Sequence, residues 1–426
     1  MYKILSMKKL GLLLVLMIFT VSLFSQTEGK EKAFGINFSG FVKNDFFYDS
    51  RQTVSIREGH FLLYPATVRL DSEGKDINAT PNFNFLSIQT RLTGRITGPD
   101  AFGAKTSGMI EGAFFGHSEP DINGFRLRHA FMKLNWTKTE LLFGQFWHPL
   151  FATSCFPEVV SFNTGVPFQP FSRNPQIRMT YTLGDFNFSA TAMSQRDFTS
   201  ANSIDGNGAV IIGSQALRNS AMPEIQGHLS YHRKNKEEGK EFLAGLGGGY
   251  KTLVPRLVTD SNYKANESVG SYITEAYIKV VVPAITVKML GYFGQNTFDI
   301  VGISSYAVKS IDTITDHREY APLSNFSAWL EIMTNGKKIQ GGLFAGYTKN
   351  LGAGTTITPM VFGNRSGVDY VYRISPRLLY KSGKTQFALE MEYTVAAHGA
   401  LGSKGEVINT QEVSNLRALF SALYFF

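Results

Sequence analysis

Residues 125–147 have the sequence FRLRHAFMKLNWTKTELLFGQFW, and they are the most informative part of the chain about its fold. It contains two segments of β-strand length, Phe125–Trp136 and Glu140–Trp147, joined by Thr137–Thr139. Because parallel strands need a crossover of a dozen or more residues, so short a link predicts an antiparallel hairpin. A long segment rich in Phe and Pro follows, from His148 to Pro175. A connection this long and apolar is expected to pack against other structure, and the mouth of a wide barrel would accommodate it.

The start of the chain predicts a secretory signal peptide over residues 1–25. Three lysines precede an uncharged apolar stretch, Leu10–Phe24, and Ser25 offers a small residue for cleavage. A membrane-anchoring helix is the alternative, but the apolar run is short and the charged segment Glu28–Lys32 follows it. We therefore expect an exported protein with a single mature domain, residues 26–426.

Composition excludes several classes of protein. Cys155 is the only cysteine, so an exported chain of this kind has no internal disulfide and no metal site built on several cysteines. The formal charge of +8 falls to +5 without the three leader lysines, and no basic run typical of nucleic-acid binding occurs. After residue 25 no apolar run reaches the roughly 20 residues of a transmembrane helix. Abundant Phe (35) and Gly (41) indicate a secreted all-β protein or an outer-membrane β-barrel.

Hydrophobic periodicity predicts sixteen strands. Apolar and polar residues alternate over stretches of about ten residues, the length of a tilted transmembrane strand. In one stretch Phe387, Leu389 and Met391 alternate with Glu390 and Glu392. Tight turns follow the even-numbered strands and longer segments follow the odd-numbered ones, as in bacterial outer-membrane barrels. The predicted fold is all-β: a transmembrane antiparallel β-barrel of about 16 strands with a long inward-folded third external loop.

Two strands have special features. The last predicted strand, from Leu416 to Phe426, ends in an aromatic residue, which suits the membrane interface and lets this strand pair with the first. In the fourth strand Arg126 and Arg128 share a face with Met132. Either a bulge near Ala130 resets the register there, or the strand has other boundaries.

The hairpin resembles one protein family. Its sequences RLRHAF (126–131) and ELLFGQFW (140–147) resemble the DcaP-like family of Gram-negative outer-membrane porins. The resemblance implies a sixteen-stranded barrel, generally a trimer, that passes small anionic solutes such as dicarboxylates. In porins of this architecture the third external loop folds inward and narrows the channel. Residues 148–175 fall at that place and are the candidate constriction loop.

Selectivity in a barrel this wide comes from charges on the inward face and on the constriction loop. Arginine suits anion binding because its guanidinium stays charged and can form two hydrogen bonds to one carboxylate. Alternation directs more basic than acidic side chains inward. The predicted channel-lining and selectivity residues are Lys43, Arg91, Arg95, Arg126, Arg128, Arg178, Arg373, Arg377 and Arg417 on strands, Arg173 and Glu158 in the loop, and the acids Glu390 and Glu392.

The same basic residues also have a purely structural interpretation. Arg373 and Arg377 are predicted on the strand beside Glu390 and Glu392, so these groups could pair across the ladder without binding any solute. A different function is also open, since the barrel could only anchor the loops of a surface-binding protein or adhesin. Both alternatives remain beside the anion-selective porin.

Catalysis and cofactor binding have little support in the sequence. No G-x-S-x-G motif occurs, and Gly383-Lys384-Thr385 lacks the upstream glycine of a phosphate-binding loop. His228 and His232 share the polar face of one strand, where a solvated pair needs no metal. We expect no enzymatic activity, no cofactor, no metal and no nucleic-acid partner. The expected partners are outer-membrane lipid, lipopolysaccharide, small anionic solutes and further copies of the chain as a homotrimer, in the outer membrane of a Gram-negative bacterium.

Overall fold

A computed structural model describes residues 34–204, 210–363, 365 and 367–426. The predicted signal peptide, residues 1–25, lies outside the described residues. Regular structure in the described part of the chain is almost entirely β-strand. The described residues contain no helix that is long and apolar enough to cross a membrane.

Sixteen antiparallel strands form a closed barrel, and this confirms the predicted fold class. The strands are β1 (Gly35–Asp49), β2 (Asn82–Leu86 and Arg91–Thr97), β3 (Lys105–Ala113), β4 (Arg126–Asn135), β5 (Thr139–Trp147), β6 (Arg173–Leu183), β7 (Phe186–Met193), β8 (Glu224–Asn235), β9 (Lys240–Leu253), β10 (Val269–Val281), β11 (Ile285–Gln295), β12 (Ser324–Thr334), β13 (Ile339–Gly352), β14 (Val368–Ser382), β15 (Thr385–Leu401) and β16 (Val407–Phe425). Neighbours in the chain pair with each other, and β1 pairs with β16 to close the ring. Both pieces of β2 pair with β1, and residues 87–90 interrupt the ladder between them.

The two faces of the barrel wall differ in polarity, as period-two alternation requires. On β15 the side chains of Leu389 and Met391 are exposed on the outer face, whereas Glu390 and Glu392 are buried inside. The apolar outer face suits contact with lipid. Buried carboxylates need hydrogen bonds or opposite charges, so donors or cations are expected next to them inside the barrel.

Connection lengths alternate around the barrel. The short connections follow the even-numbered strands: 98–104, 136–138, 184–185, 236–239, 282–284, 335–338 and 383–384. The longer connections follow the odd-numbered strands from β1 to β13: 50–81, 114–125, 148–172, 194–223, 254–268, 296–323 and 353–367. The last connection departs from the prediction, because only residues 402–406 separate β15 from β16. β16 starts early with a run of exposed polar residues, 409–412, which shows no alternation in the sequence.

A β-bulge in β4 explains its irregular sequence pattern. Glu111 of β3 pairs with His129, and the ladder then skips Arg128. Because one extra residue stands in β4, Arg126 and Arg128 are buried inside while Met132 is exposed outside. The predicted bulge is confirmed.

Two chain segments pack inside the barrel. One is residues 148–172, here called the 148–172 segment. The other is the 53–65 hairpin, whose strands are Thr53–Ile56 and Phe61–Pro65. Phe61 contacts both Phe162 and Phe171 of the first segment, with ring centroids 5.7 and 5.5 Å apart. This hairpin is not among the sixteen predicted strands, although the apolar run FLLYP (61–65) marks its second strand.

Short elements in the other long connections pack on one another. They are the paired strands Ala201–Ile204 and Val210–Ile212, the three-stranded sheet of Tyr306–Ile311, Arg318–Pro322 and Val361–Phe362, the helix Gln215–Asn219, and the 3-10 turns Ile77–Ala79 and Phe298–Ile300. A buried apolar cluster that includes Leu217, Tyr306 and Phe362 joins several of them.

Candidate functional site

The basic residues predicted to line the barrel fall into two groups with different surroundings. The first group lies on β1, β14 and β16: Lys43, Arg373, Arg377 and Arg417. The second lies on β2, β4 and β6: Arg91, Arg95, Arg126, Arg128, Arg173 and Arg178. The two groups differ in the number of carboxylates that lie close to their basic side chains.

The first group holds backbone carbonyls of the two interior segments. Arg373 is 1% exposed and donates from Nη1 to the carbonyl of Val166 (2.9 Å) and from Nη2 to that of Leu63 (2.9 Å). One guanidinium thus ties the 148–172 segment and the 53–65 hairpin to β14. Similar bonds run from Lys43 Nζ to Val160 O (2.6 Å) and from Arg417 Nη2 to Gly59 O (2.6 Å).

Acids match the charges of this first group. Arg417 makes two hydrogen bonds to Asp49, of 2.9 and 2.6 Å. Glu392 lies 3.4 Å from Arg373. Glu390 and Glu392 also accept hydrogen bonds from the 148–172 segment. The structural interpretation therefore describes this part of the wall, where cations and acids hold the interior segments in place.

Arg377 pairs with Glu331 of β12, and its closest acid is therefore not the predicted one on β15. Its Nη2 lies 2.9 Å from Glu331 Oε1, with β13 between the two strands. The side chain crosses over Gly342 of β13, where an added Cβ would lie 2.6 Å from Arg377 Cζ. The absence of a side chain at Gly342 opens this path, which the spacing of charges along the chain does not reveal.

We expect Gly342→Ala to lower the thermal stability of the barrel. The new methyl group would displace the guanidinium of Arg377 from Glu331, and such overpacking costs roughly 1–3 kcal/mol. The measurement is the temperature at which the folded, fast-migrating band disappears on an SDS gel. Gly341→Ala is the matched control, since its Cβ would meet nothing within 4 Å. Equal melting of the two variants would contradict the prediction.

Glu158, the acid predicted in the constriction, lies on the 148–172 segment and is paired. Its Oε1 is 2.6 Å from Lys288 Nζ of β11, and its backbone amide donates to Glu331 (2.8 Å). Its side chain is still about half exposed toward the interior cavities. It is thus held against the wall opposite the second group of basic residues.

Three arginines of the second group surround one aromatic ring. The guanidinium carbons of Arg126, Arg128 and Arg173 lie 5.3, 5.7 and 5.6 Å from the ring centroid of Phe115. Cation–π attraction at such distances favours this arrangement. Arg173 is the first residue of β6. Its predicted place in the loop is therefore wrong, because the strand starts earlier than the predicted end of the loop at Pro175. We call the following four residues the arginine corner: Arg91, Arg126, Arg128 and Arg173.

Glu111 of β3 is the wall acid of the arginine corner. Its Oε1 lies 2.8 Å from Arg128 Nε and 3.6 Å from Arg91 Nε. Its other oxygen accepts a hydrogen bond from the hydroxyl of Thr93 (2.8 Å). One buried carboxylate therefore serves two guanidiniums.

Asp197 is the second acid of the corner, and it comes from the connection between β7 and β8. Its Oδ2 accepts a hydrogen bond from Arg173 Nε (2.7 Å), and its Oδ1 accepts one from Arg126 Nη2. Asp197 was not predicted as a site residue, because its position in a long connection has no periodicity. Two carboxylates thus face four guanidiniums, and the corner carries an excess of positive charge.

Arg95 and Arg178 lie outside the corner. Arg178 is half-buried and donates to the carbonyl of Trp147 (2.7 Å). Arg95 is exposed and donates to the hydroxyl of Ser39 (3.0 Å). The structure places both side chains on the polar face but does not bring them to the other predicted residues.

Three cavities lie along the 148–172 segment. The first, of about 380 Å³, is bordered by two residues of the corner, Arg126 and Arg173, together with Asp197 and several phenylalanines. The second, of about 280 Å³, is bordered by the other two, Arg91 and Arg128. The phenylalanines of the first cavity are Phe61, Phe115, Phe162, Phe171, Phe198 and Phe298.

The cavities share walls in a consistent order. Phe162 and Phe171 border both the first and the second cavity, so these rings form the partition between them. A third cavity has a volume of about 280 Å³ and is bordered by Arg178. Phe151 and Thr153 border both this cavity and the second one. The arginine corner therefore lies on both sides of the aromatic partition.

The two histidines weighed as metal ligands each face a carboxylate. His228 Nδ1 is 3.7 Å from Glu275, and His232 Nε2 is 2.9 Å from Glu241. Within the described parts of the chain, no three His, Cys, Asp or Glu side chains come together as a metal site.

A closed sixteen-stranded barrel with an apolar outer face and a charged interior is the fold of outer-membrane channels. The chain is similar to the crystal structure of the outer membrane channel DcaP of Acinetobacter baumannii, with a TM-score of 0.67 and 15% identity over 95% of this chain and 100% of that one. It is also similar to OmpT of Vibrio cholerae, with a TM-score of 0.53 and 11% identity over 93% of this chain and 99% of that one. A trimer form of OmpT gives a TM-score of 0.52 at 11% identity, over 93% of this chain and 100% of that one. The resemblance to DcaP-like porins is confirmed at the level of the fold.

No protein-family model and no curated protein sequence matches the chain.

Proposed function

We propose that this protein is an outer-membrane porin. It forms a water-filled channel for the passive diffusion of small hydrophilic solutes and favours anions such as dicarboxylates. The observation that supports this function is the arginine corner, where four guanidiniums face two carboxylates beside two cavities. A surplus of fixed positive charge between low-dielectric walls attracts anions and raises their local concentration.

The first cavity suits a small organic anion. Its guanidiniums offer charge-assisted hydrogen bonds to carboxylate oxygens, and its phenylalanine rings offer apolar contact to a short carbon chain. Its volume of about 380 Å³ limits the solute to a small molecule. The 148–172 segment, whose rings separate the first two cavities, is the proposed constriction.

The proposal also covers location and assembly. The mature chain, residues 26–426, lies in the outer membrane of a Gram-negative bacterium after removal of a signal peptide, in contact with lipid and lipopolysaccharide. It assembles as a homotrimer, an arrangement supported by the trimer form of OmpT. The proposed role involves no enzymatic activity, cofactor or nucleic acid.

Single-channel recording of the refolded protein in a planar bilayer tests the proposal. With a salt gradient across the bilayer, we expect discrete conductance steps and a reversal potential on the anion side, because the corner attracts anions. A reversal potential on the cation side, from protein that is folded by its gel mobility, would contradict anion selectivity. Absence of any conductance steps would contradict the proposal that the protein is a porin.

One observation favours a second function, a barrel-anchored surface-binding protein or adhesin with a closed lumen. The 53–65 hairpin and the 148–172 segment together form a buried aromatic cluster inside the barrel. A folded protein that gives no conductance steps would support this second function. Its long connections would then be the binding surface.

A further inference from the structure

Asp197 has an unusual position for a counter-ion. Most buried acids of the barrel interior stand on wall strands, as Glu111 and Glu392 do. Asp197 instead reaches in from the 194–223 connection and borders the first cavity. Its side chain is 3% exposed, and both guanidiniums that it binds border the same cavity.

The carboxylate of Asp197 sits as a bound solute carboxylate would. Its two oxygens are divided between two guanidiniums, with Oδ2 2.7 Å from both Nε and Nη2 of Arg173 and Oδ1 bonded to Arg126. Charge-assisted hydrogen bonds between guanidinium groups and a carboxylate are also how arginine recognises anionic ligands. Arg173 Nη1, also buried, has no hydrogen-bond partner among the described residues, so the guanidinium keeps donor capacity for a second acceptor.

The backbone that precedes Asp197 is held. Ser194 N donates to Pro175 O (3.0 Å), and Arg196 N donates to Asn174 Oδ1 (2.9 Å). These bonds hold the chain just before Asp197 against β6, the strand that carries Arg173. Although burial raises it, the charges of Arg173 and Arg126 lower the pKa of Asp197 below its usual value, so the group is ionised at neutral pH.

We propose that Asp197 is a resident competitor for the permeating anion, and this inference rests on the porin function proposed above. Its carboxylate occupies the place between Arg126 and Arg173 that a solute carboxylate takes during passage. A passing anion exchanges with it by displacing the side chain and not the anchored backbone. Between passages Asp197 returns, so the two arginines never remain as buried charges without a partner.

The competitor sets how tightly the channel binds its solute. Conduction requires binding that is favourable enough for entry and weak enough for release. A tethered carboxylate acts at an effective concentration that a dilute solute does not reach, so it keeps the net affinity low. Asp197 thus prevents the arginine corner from binding anions too tightly for release.

The experiment compares the wild-type channel with Asp197→Asn in planar bilayers, using glutarate as the probe dicarboxylate in a potassium chloride solution. We expect the glutarate concentration that halves the chloride current to fall about tenfold in the variant, and the time of each blocking event to lengthen correspondingly. Asp185→Asn is the control, because it removes the same charge from the exposed 184–185 turn, far from the corner. It should leave the half-blocking concentration unchanged.

Each remaining outcome decides the inference. An Asp197→Asn channel with wild-type glutarate block overturns it and leaves Asp197 as a structural ion-pair partner. If that variant does not fold, Asp197→Ser replaces it, and failure of both to fold overturns the inference as well. A wild-type channel without anion preference instead overturns the proposed function, so the two failures are distinguishable.

Discussion

The double substitution of Arg91 and Arg128 by glutamine is expected to change the ion preference of the proposed channel from anions to cations. Both guanidiniums border the second cavity and share Glu111 as their acid. Their loss removes two positive charges and leaves the carboxylate of Glu111 with one hydrogen bond, from the hydroxyl of Thr93, and with the ring of His129 at 3.9 Å. The charge of this wall section then changes sign, and the fixed charges of a pore set its ion preference. The reversal potential in a salt gradient measures the change.

A triple variant supplies the control for this experiment. Adding Glu111→Gln to the two arginine substitutions removes the carboxylate and makes the same section neutral. We expect its reversal potential to lie between those of the wild type and the double variant. If the double variant keeps the full anion preference, the second cavity is not on the ion path.

The substitution Arg373→Met is expected to loosen the interior segments and to destabilise the protein strongly. Arg373 bonds to carbonyls of both segments and lies 3.4 Å from the buried Glu392. Removing one partner of a buried ion pair costs roughly 3–5 kcal/mol, because the other charge stays behind. We expect a lower melting temperature, together with a larger and noisier unitary conductance as the segments move away from the wall.

Lys381→Met is the matched control for Arg373→Met. Lys381 is a cation on the same strand, and its Nζ bonds to Gln340 (2.6 Å) and not to either interior segment. It should leave both the melting temperature and the conductance close to wild type. A destabilised Arg373→Met channel with unchanged conductance would mean that the two segments hold their positions without this residue.

The predictions for Arg91 with Arg128 and for Arg373 differ because the two groups of basic residues have different surroundings. On β1, β14 and β16 the basic side chains are matched by acids, and Lys43, Arg373 and Arg417 hold backbone carbonyls, so we expect substitution there to affect stability and the interior segments. On β2, β4 and β6 the arginines of the corner outnumber the acids and border cavities, so we expect substitution there to affect the solute. We therefore propose anion selectivity for this sector of the wall, whereas ion pairs between cations and acids are observed in the other.

Local sequence patterns predict the barrel, its strand number and the facing of its side chains. These properties depend on local patterns: alternation with period two, tight turns such as Gly184-Asp185, and the charged residue types that lipid excludes from the outer face. A bulge near Ala130 was one of two interpretations of β4, because the alternation breaks there, and the structure has it at Arg128. The short connection of the last hairpin was not predicted, because the residues 409–412 are exposed and carry no alternation.

The pairing of charges inside the barrel, in contrast, depends on the tertiary structure. Arg377 reaches Glu331 because Gly342 leaves the space between them open, and no spacing in the chain encodes that distance. Asp197 meets Arg126 and Arg173 because its connection folds back over the barrel interior. Inside a closed barrel a charge interacts with whatever lies within a few ångströms in a low-dielectric space, and closure of the wall brings distant parts of the chain to that range. The strand pattern is a local property, whereas the electrostatics of the lumen arises only when the ring has closed.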